Sequence, residues 1–190
     1  VVDSSYKEFA QYFPNPGWVE HDAEEIWHSV QFTMGEVVSR LSEPIAAIGI
    51  TNQRETAVAW DRETSLPIHR ALVWQDRRTA GQCTQLVADG LNSVIRESTG
   101  LIIDPYFSAT KFEWLSKNFA SAKNLAFGTI DSWLIWKLTD GKVHATDPSN
   151  ASRTMLFNIN SLEWDNELLN LFNLNESDFP EVRASNGDFG

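Results

Sequence analysis

Cysteine occurs once in the 190 residues, at Cys83. An intrachain disulfide is therefore excluded, and the chain suits a reducing, cytoplasmic setting. No apolar stretch approaches the ~20 residues that a bilayer-crossing helix needs. The opening VVDSSYKEFA has no basic segment followed by an apolar one, so it does not read as a secretory signal. Basic residues are scarce, 15 Lys plus Arg against 26 Asp plus Glu, for a formal net charge of -11. Nucleic acid and anionic membranes both need clustered positive charge, so neither is an expected partner.

Several chemical motifs are missing as well. There is no GxxxxGK[ST] phosphate loop, no GxGxxG and no GxSxG. His21, His28, His69 and His144 stand apart, without HExxH or ligand spacing, and one thiol cannot build a thiolate zinc site. No metal site is expected from these residues. Repeats, low-complexity tracts and Gly/Ser linkers are also lacking, which leaves one continuous domain.

What is present is a globular balance, 42% hydrophobic and 22% charged, with enough aromatics (8 Trp, 11 Phe) for a large core. After the FPNPGW turn (residues 13–18), Asp22 is placed to cap a helix, with Glu25 at the capping-box position. Ile26, Trp27, Val30, Met34, Val37, Val38 and Leu41 recur at helical spacing until Pro44. The run IAAIGI (45–50) reads as a strand buried on both faces. Residues 56–61 and 68–74 read as an antiparallel pair of strands. Helices are expected over 77–86, 92–98, 108–120, 129–139 and 164–172, with extended segments at 143–146 and 152–157. Strands alternating with helices make the fold α/β, with a mixed sheet. Phe112, Trp114, Leu115 and Phe119 share the 108–120 helix and are expected to pack, not to form a second aromatic site.

Polar clusters follow the expected strands. Gln53, Arg54 and Glu55 close the 45–50 run; Trp74 leads into QDRR (75–78); the loop DPYFSATK (104–111) delivers Tyr106. Ligands of open α/β sheets collect beyond strand ends. Arg54 supplies rigid donors and Glu55 acceptors, a pairing suited to adjacent hydroxyls. In a regular strand these neighbours point to opposite faces, so the backbone must twist there. The flat ring of Trp74 suits the C–H face of a small polyol, and Tyr106 adds a hydroxyl. All four are expected on one concave surface, with Trp74 at its edge.

The stretches GITNQRET (49–56), VWQDRRTA (73–80), GLIIDPYFSATK (100–111), FGTIDSWLIWKL (127–138) and NASRTMLFNI (150–159) together resemble the FGGY carbohydrate kinases. Among these they resemble the glycerol kinases most. YFSATKFEWLSKN (106–118) is similar to the family's first signature, with Lys111, Trp114 and Leu115 in place, and PNPGWVEHDAEEIW (14–27) matches too. The resemblance implies a ribonuclease-H-like domain of the actin and sugar-kinase type. It implies transfer of the ATP γ-phosphoryl group, with Mg²⁺, to a terminal hydroxyl of glycerol. Arg54, Glu55 and Tyr106 would hydrogen-bond glycerol while Trp74 packs on its carbons.

The family's first hairpin with its phosphate loop, its general-base aspartate and its second domain find no counterpart here. Both ends are therefore expected to be cuts, with sheet edges and apolar surface left bare, and no catalytic residue is assigned. The remaining kinase chain is the expected partner, a homo-oligomer stays open, and the chain alone is expected to be inactive. Two alternatives stand: another FGGY kinase acting on a pentulose or gluconate, and a non-catalytic polyol-binding or interaction module.

Overall fold

The structure is a computed structural model that describes residues 1–119 and 124–190. In chain order the elements are β1 (Gln11–Tyr12), β2 (Glu20–His21), α1 (Ala23–Arg40), β3 (Val58–Asp61), β4 (Ala71–Leu72), α2 (Ala80–Ala88), α3 (Asn92–Thr99) and α4 (Ala109–Asn118). They continue with β5 (Leu125–Gly128), α5 (Ile130–Leu138), β6 (Ala145–Thr146), α6 (Pro148–Ala151), β7 (Phe157–Asn158), β8 (Glu163–Trp164), α7 (Asn166–Leu171) and β9 (Glu181–Val182). Sheets and helices mix as expected for α/β. β1, β2 and β4 form an antiparallel sheet, β3 pairs antiparallel with β5, β7 with β8, and β6 runs parallel to β9.

Local chemistry accounts for most boundaries. Asp22 caps α1, its carboxylate accepting from the amides of Glu24 and Glu25. The capping box does not form, because the Glu25 carboxylate is drawn away to the Tyr12 hydroxyl at 2.6 Å and the Ala10 amide at 3.1 Å. Asp165 caps α7 in the same manner as Asp22, which moves that helix start past Trp164. Thr79 and Asp89 bracket α2, so the helix expected at 77–86 begins later, at Ala80. Gly128 marks a close approach: a Cβ there would meet the Ser132 Cβ at 2.5 Å and Trp60 at 3.1 Å. That contact lets β5 turn tightly into α5.

Two cores result. One gathers Phe112, Leu115, Phe127, Met155, Leu168 and Phe172 between α4, β5 and α7. The other is built on Trp60, Trp133 and Trp136, with Ala23 and Ile26 of α1. Trp60 is fully buried and meets the Trp133 ring at 5.5 Å and the His144 ring at 5.1 Å, both edge-on. Edge-on pairs of this kind add about 0.5–1.5 kcal/mol each beyond their buried area. On α4, Phe112 and Leu115 are buried and Trp114 and Phe119 pack partly buried against the first core, as expected. Ala120, the last residue of that expected helix, lies outside the described residues.

Three expectations are corrected. Residues 45–50 form no strand: Ile45 and Ile48 are 50% and 57% exposed, and among the described residues no ladder partner flanks them. An apolar run is a buried strand only when sheet neighbours cover it, and here its side chains line one wall of an open groove of about 830 Å³. Ile135, Leu138, Val143 and residues 187–190 also line it. In α1, the second half of the apolar stripe is only partly covered: Val38 is 50% exposed while Met34, Val37 and Leu41 are half-buried. Residues 152–155 are a turn and not a strand, since Met155 sits at φ +62° and Thr154 hydrogen-bonds back to Ala151. The expected pairing of 56–61 with 68–74 occurs as an isolated antiparallel bridge between Ala57 and Leu72 and a bond from the Ile68 amide to Ala59 O at 3.0 Å, with a further bridge from Trp60 to Pro67 in the turn.

Candidate functional site

Three segments far apart in sequence are laced together where the expected polar clusters lie. Residues 53–56 form a hydrogen-bonded turn closed by Thr56 N to Gln53 O at 3.3 Å and by the Thr56 hydroxyl to Gln53 Oε1 at 2.9 Å. That turn supplies the twist that neighbouring side chains need. It leaves Arg54 exposed while Glu55 goes inward, 5% exposed. Thr56 to Trp60 follow as a fully buried run that anchors the turn to the core.

The second segment carries Tyr106. Its amide donates to Asp104 Oδ1 at 2.8 Å, and the same carboxylate oxygen receives Arg77 Nη1 at 3.2 Å. Lys111 Nζ reaches back from α4 to the carbonyls of Pro105 at 3.0 Å and Tyr106 at 2.8 Å. Lys111 is fully out of water, and burial pushes its pKa down to about 7 against the opposing pull of Asp76 and Glu55. The Ser108 hydroxyl donates to the Glu55 carbonyl at 3.0 Å, tying this loop to the first turn.

Trp74 follows β4 and remains 36% exposed, its ring centroid 5.4 Å from that of Tyr106 at an interplanar angle of 57°. Glu55, Tyr106 and Trp74 are thus brought onto one face. Arg54 stands beside Glu55 with no hydrogen bond or ion pair of its own among the described residues, a free set of guanidinium donors at the rim. The acceptor, the donors and the exposed aromatic wall match what a small hydroxyl-rich molecule requires.

Sequence reasoning assigned no role to Arg153, Asn52 or Asp131; the fold brings Arg153 to Glu55 and joins Asn52 to Asp131. Arg153 Nε lies 2.8 Å from Glu55 Oε1, across 98 positions of chain. Asn52 Nδ2 donates to Asn150 Oδ1 at 3.0 Å and, at 3.4 Å, to Asp131 Oδ1. Asp131 is buried and also accepts from Thr146 Oγ1 at 2.6 Å and from the Thr129 hydroxyl. Burial holds its carboxyl above the usual carboxylate range despite these bonds. Asn52 lies inside the polar knot, and Arg153 and Asp131 lie in recognised stretches, but their partners are set only by tertiary contact. No group of three or more His, Cys, Asp or Glu that could hold a metal ion occurs among the described residues. No helix there is long and apolar enough to cross a membrane.

The family model for the N-terminal domain of the FGGY family of carbohydrate kinases matches residues 1–190. The glycerol kinase of Shewanella pealeana is 53% identical over 199 aligned positions, and that of Lactobacillus acidophilus 55% over 198. Each alignment covers all of this chain and 40% of the relative, so the chain spans about two-fifths of their length. Among solved structures, Plasmodium falciparum glycerol kinase with ADP superposes with a TM-score of 0.95 at 39% identity, covering 100% of this chain and 40% of that one. A gluconate kinase from Lactobacillus acidophilus superposes at 0.84 with 22% identity, covering 93% of this chain and 36% of that one, a likeness of fold alone. The fold is thus that of the actin-like sugar kinases. With the family match running over all 190 residues, the chain belongs to the FGGY carbohydrate kinases, of which it represents the N-terminal domain.

Proposed function

We propose that this chain forms the glycerol-holding side of an ATP-dependent glycerol kinase. The observation that carries the reading is the shared face of Glu55, Tyr106 and Trp74, with Arg54 free beside Glu55. Identity of 53–55% to glycerol kinases over the whole chain supports glycerol over larger sugars.

In this reading Arg54 donates to two neighbouring hydroxyls and Glu55 accepts from them, fixing which end of the triol points outward. Tyr106 contacts the third hydroxyl, and the Trp74 ring covers the carbons. Holding a small flexible triol in one orientation converts an encounter into a positioned reaction, which is most of what a phosphoryl-transfer enzyme supplies. The terminal hydroxyl then forms the new O–P bond to the γ-phosphorus as the bond to ADP breaks, and the hydroxyl proton leaves to a base. The product is sn-glycerol 3-phosphate. ATP with Mg²⁺ is the proposed donor. The cytoplasm is the proposed location.

The test is coupled ADP release with Mg-ATP and, in parallel, glycerol, xylulose and gluconate, on the full-length gene product and on the 190-residue chain. The full-length product is expected to prefer glycerol, and the 190-residue chain to release no ADP. Preference for xylulose or gluconate would move the assignment within the family. Turnover by the short chain near the full rate would overturn the division of labour proposed here.

A further inference from the structure

We infer that Arg153 is a positioning residue that holds the Glu55 carboxylate in its ligand-facing orientation, so that glycerol recognition depends on a residue that need not touch glycerol. The inference rests on the functional reading above.

Glu55 presents one carboxylate to a site where it must accept from hydroxyls. Its side chain is 6% exposed, and Arg153, the ion-pair partner at 2.8 Å, is 27% exposed. The pair is therefore at the edge of water, dry enough for the charge-assisted bond to fix geometry. The contact uses Nε and a single carboxylate oxygen, Oε1. Oε2 takes no hydrogen bond from a described residue and stays available to accept from a ligand hydroxyl.

Arg153 is itself held on several sides. Its guanidinium lies 4.9 Å from the Phe107 ring centroid and 6.0 Å from that of Tyr106. Its amide donates to Asn150 O at 3.0 Å, within the turn that follows α6. The next residue, Thr154, accepts the Ala109 amide at 2.7 Å and so ties this turn to the start of α4. The Ser108 hydroxyl binds the Glu55 backbone, and Arg153 binds the Glu55 side chain. Main chain and carboxylate of one residue are thereby fixed from two different segments. Charge alone does not meet this need, since a surface Arg–Glu pair requires no such scaffolding.

The test compares Arg153→Ala and Arg153→Lys in the full-length gene product, alone and combined with Glu55→Gln, after thermal melts establish folding. Arg153→Ala should raise the glycerol KM about tenfold or more, as expected for losing a charge-assisted hydrogen bond that holds the binding carboxylate. The KM for ATP should stay within about twofold and Arg153→Lys should fall between. In the Glu55→Gln background the same change should add less than about twofold, because the partner it orients is already gone. A glycerol KM unchanged in Arg153→Ala, or full additivity with Glu55→Gln, overturns the inference. If wild type prefers xylulose or gluconate, the glycerol assignment fails and Arg153 is judged by the KM of that substrate. If no substrate turns over, a crystal structure of Arg153→Ala decides: a displaced Glu55 carboxylate supports the role, and an unmoved one ends it.

Discussion

Asp76 and Arg78 form a buried pair two residues apart: Arg78 Nε donates to Asp76 Oδ1 at 3.0 Å and Nη2 to Oδ2 at 2.9 Å, with side chains 1% and 0% exposed. Asp76 also accepts the Val19 amide at 2.7 Å, and Arg78 reaches Glu20 at 2.7 Å. The guanidinium lies 3.7 Å from the Trp18 ring centroid and 4.5 Å from that of Trp114. This pair fixes the loop on which Trp74 stands. In the sequence both residues belonged to a polar cluster near a ligand; in the fold they are scaffold.

Removing Asp76 leaves the buried Arg78 with Glu20 as its remaining carboxylate partner and takes the acceptor from the Val19 amide. Asp76→Ala should cost about 3 kcal/mol or more of stability. Urea unfolding measures it, and a loss below about 1 kcal/mol would show that Glu20 alone holds Arg78.

The Lys111 ammonium is held below its ordinary range by burial, with a pKa near 7 in place of 10.5. An unfolded chain then binds the proton more readily between pH 7 and 10.5, so stability rises as pH climbs through that window. From pH 7 to 9 the gain from this group is about 2 kcal/mol. Above pH 9 the buried Cys83 thiol, pushed up to about 11, works the other way. Lys111→Met should flatten the pH 7–9 rise seen in denaturant midpoints, and parallel profiles for the two proteins would contradict it.

His144 lies between Trp60 and Trp136, its Nε2 bonded to the Phe127 carbonyl at 2.9 Å. Burial is the main cause that lowers its pKa from 6.5 to about 4, with the Arg62 charge adding to it. The unfolded state therefore takes the proton first as pH falls, and stability drops between pH 6.5 and 4. The drop from pH 7 to 5 is about 2 kcal/mol. His144→Phe should remove this acid slope while lowering stability at pH 7 through the lost hydrogen bond. Thermal melts at the two pH values read both effects, and an undiminished slope in the variant would assign it elsewhere.

Tyr106→Phe deletes one hydroxyl and leaves the ring against Trp74. A neutral hydrogen bond of about 1 kcal/mol corresponds to a rise of about fivefold in glycerol KM. Trp74→Ala should raise it by more, through loss of the apolar wall. Steady-state kinetics of the full-length gene product check both, and an unchanged KM in the two variants would place glycerol away from this face.

Local rules made several elements legible. The start of α1 follows from Asp22, and the packing of Phe112 and Leu115 from their helical spacing. The 45–50 run misled because apolar periodicity reports what a segment needs covered, and among the described residues nothing pairs with it or fully covers Ile45 and Ile48. Glu55 was visible as a polar residue closing an apolar run. Arg153 was not, since an arginine in a short turn looks solvated until the fold carries it across 98 positions to Glu55. Asp131 was hidden for the same reason: its value lies in Asn52 and Thr146, which only tertiary structure brings to it.

The most direct test of the central claim is a crystal structure of the full-length gene product with glycerol at a concentration near its KM, grown and frozen without other polyols. Two adjacent hydroxyls should lie within hydrogen-bond reach of Arg54 and Glu55, the third near the Tyr106 hydroxyl, and the carbons against the Trp74 ring. Glycerol bound elsewhere, with Arg54 and Glu55 facing only water, would contradict the account.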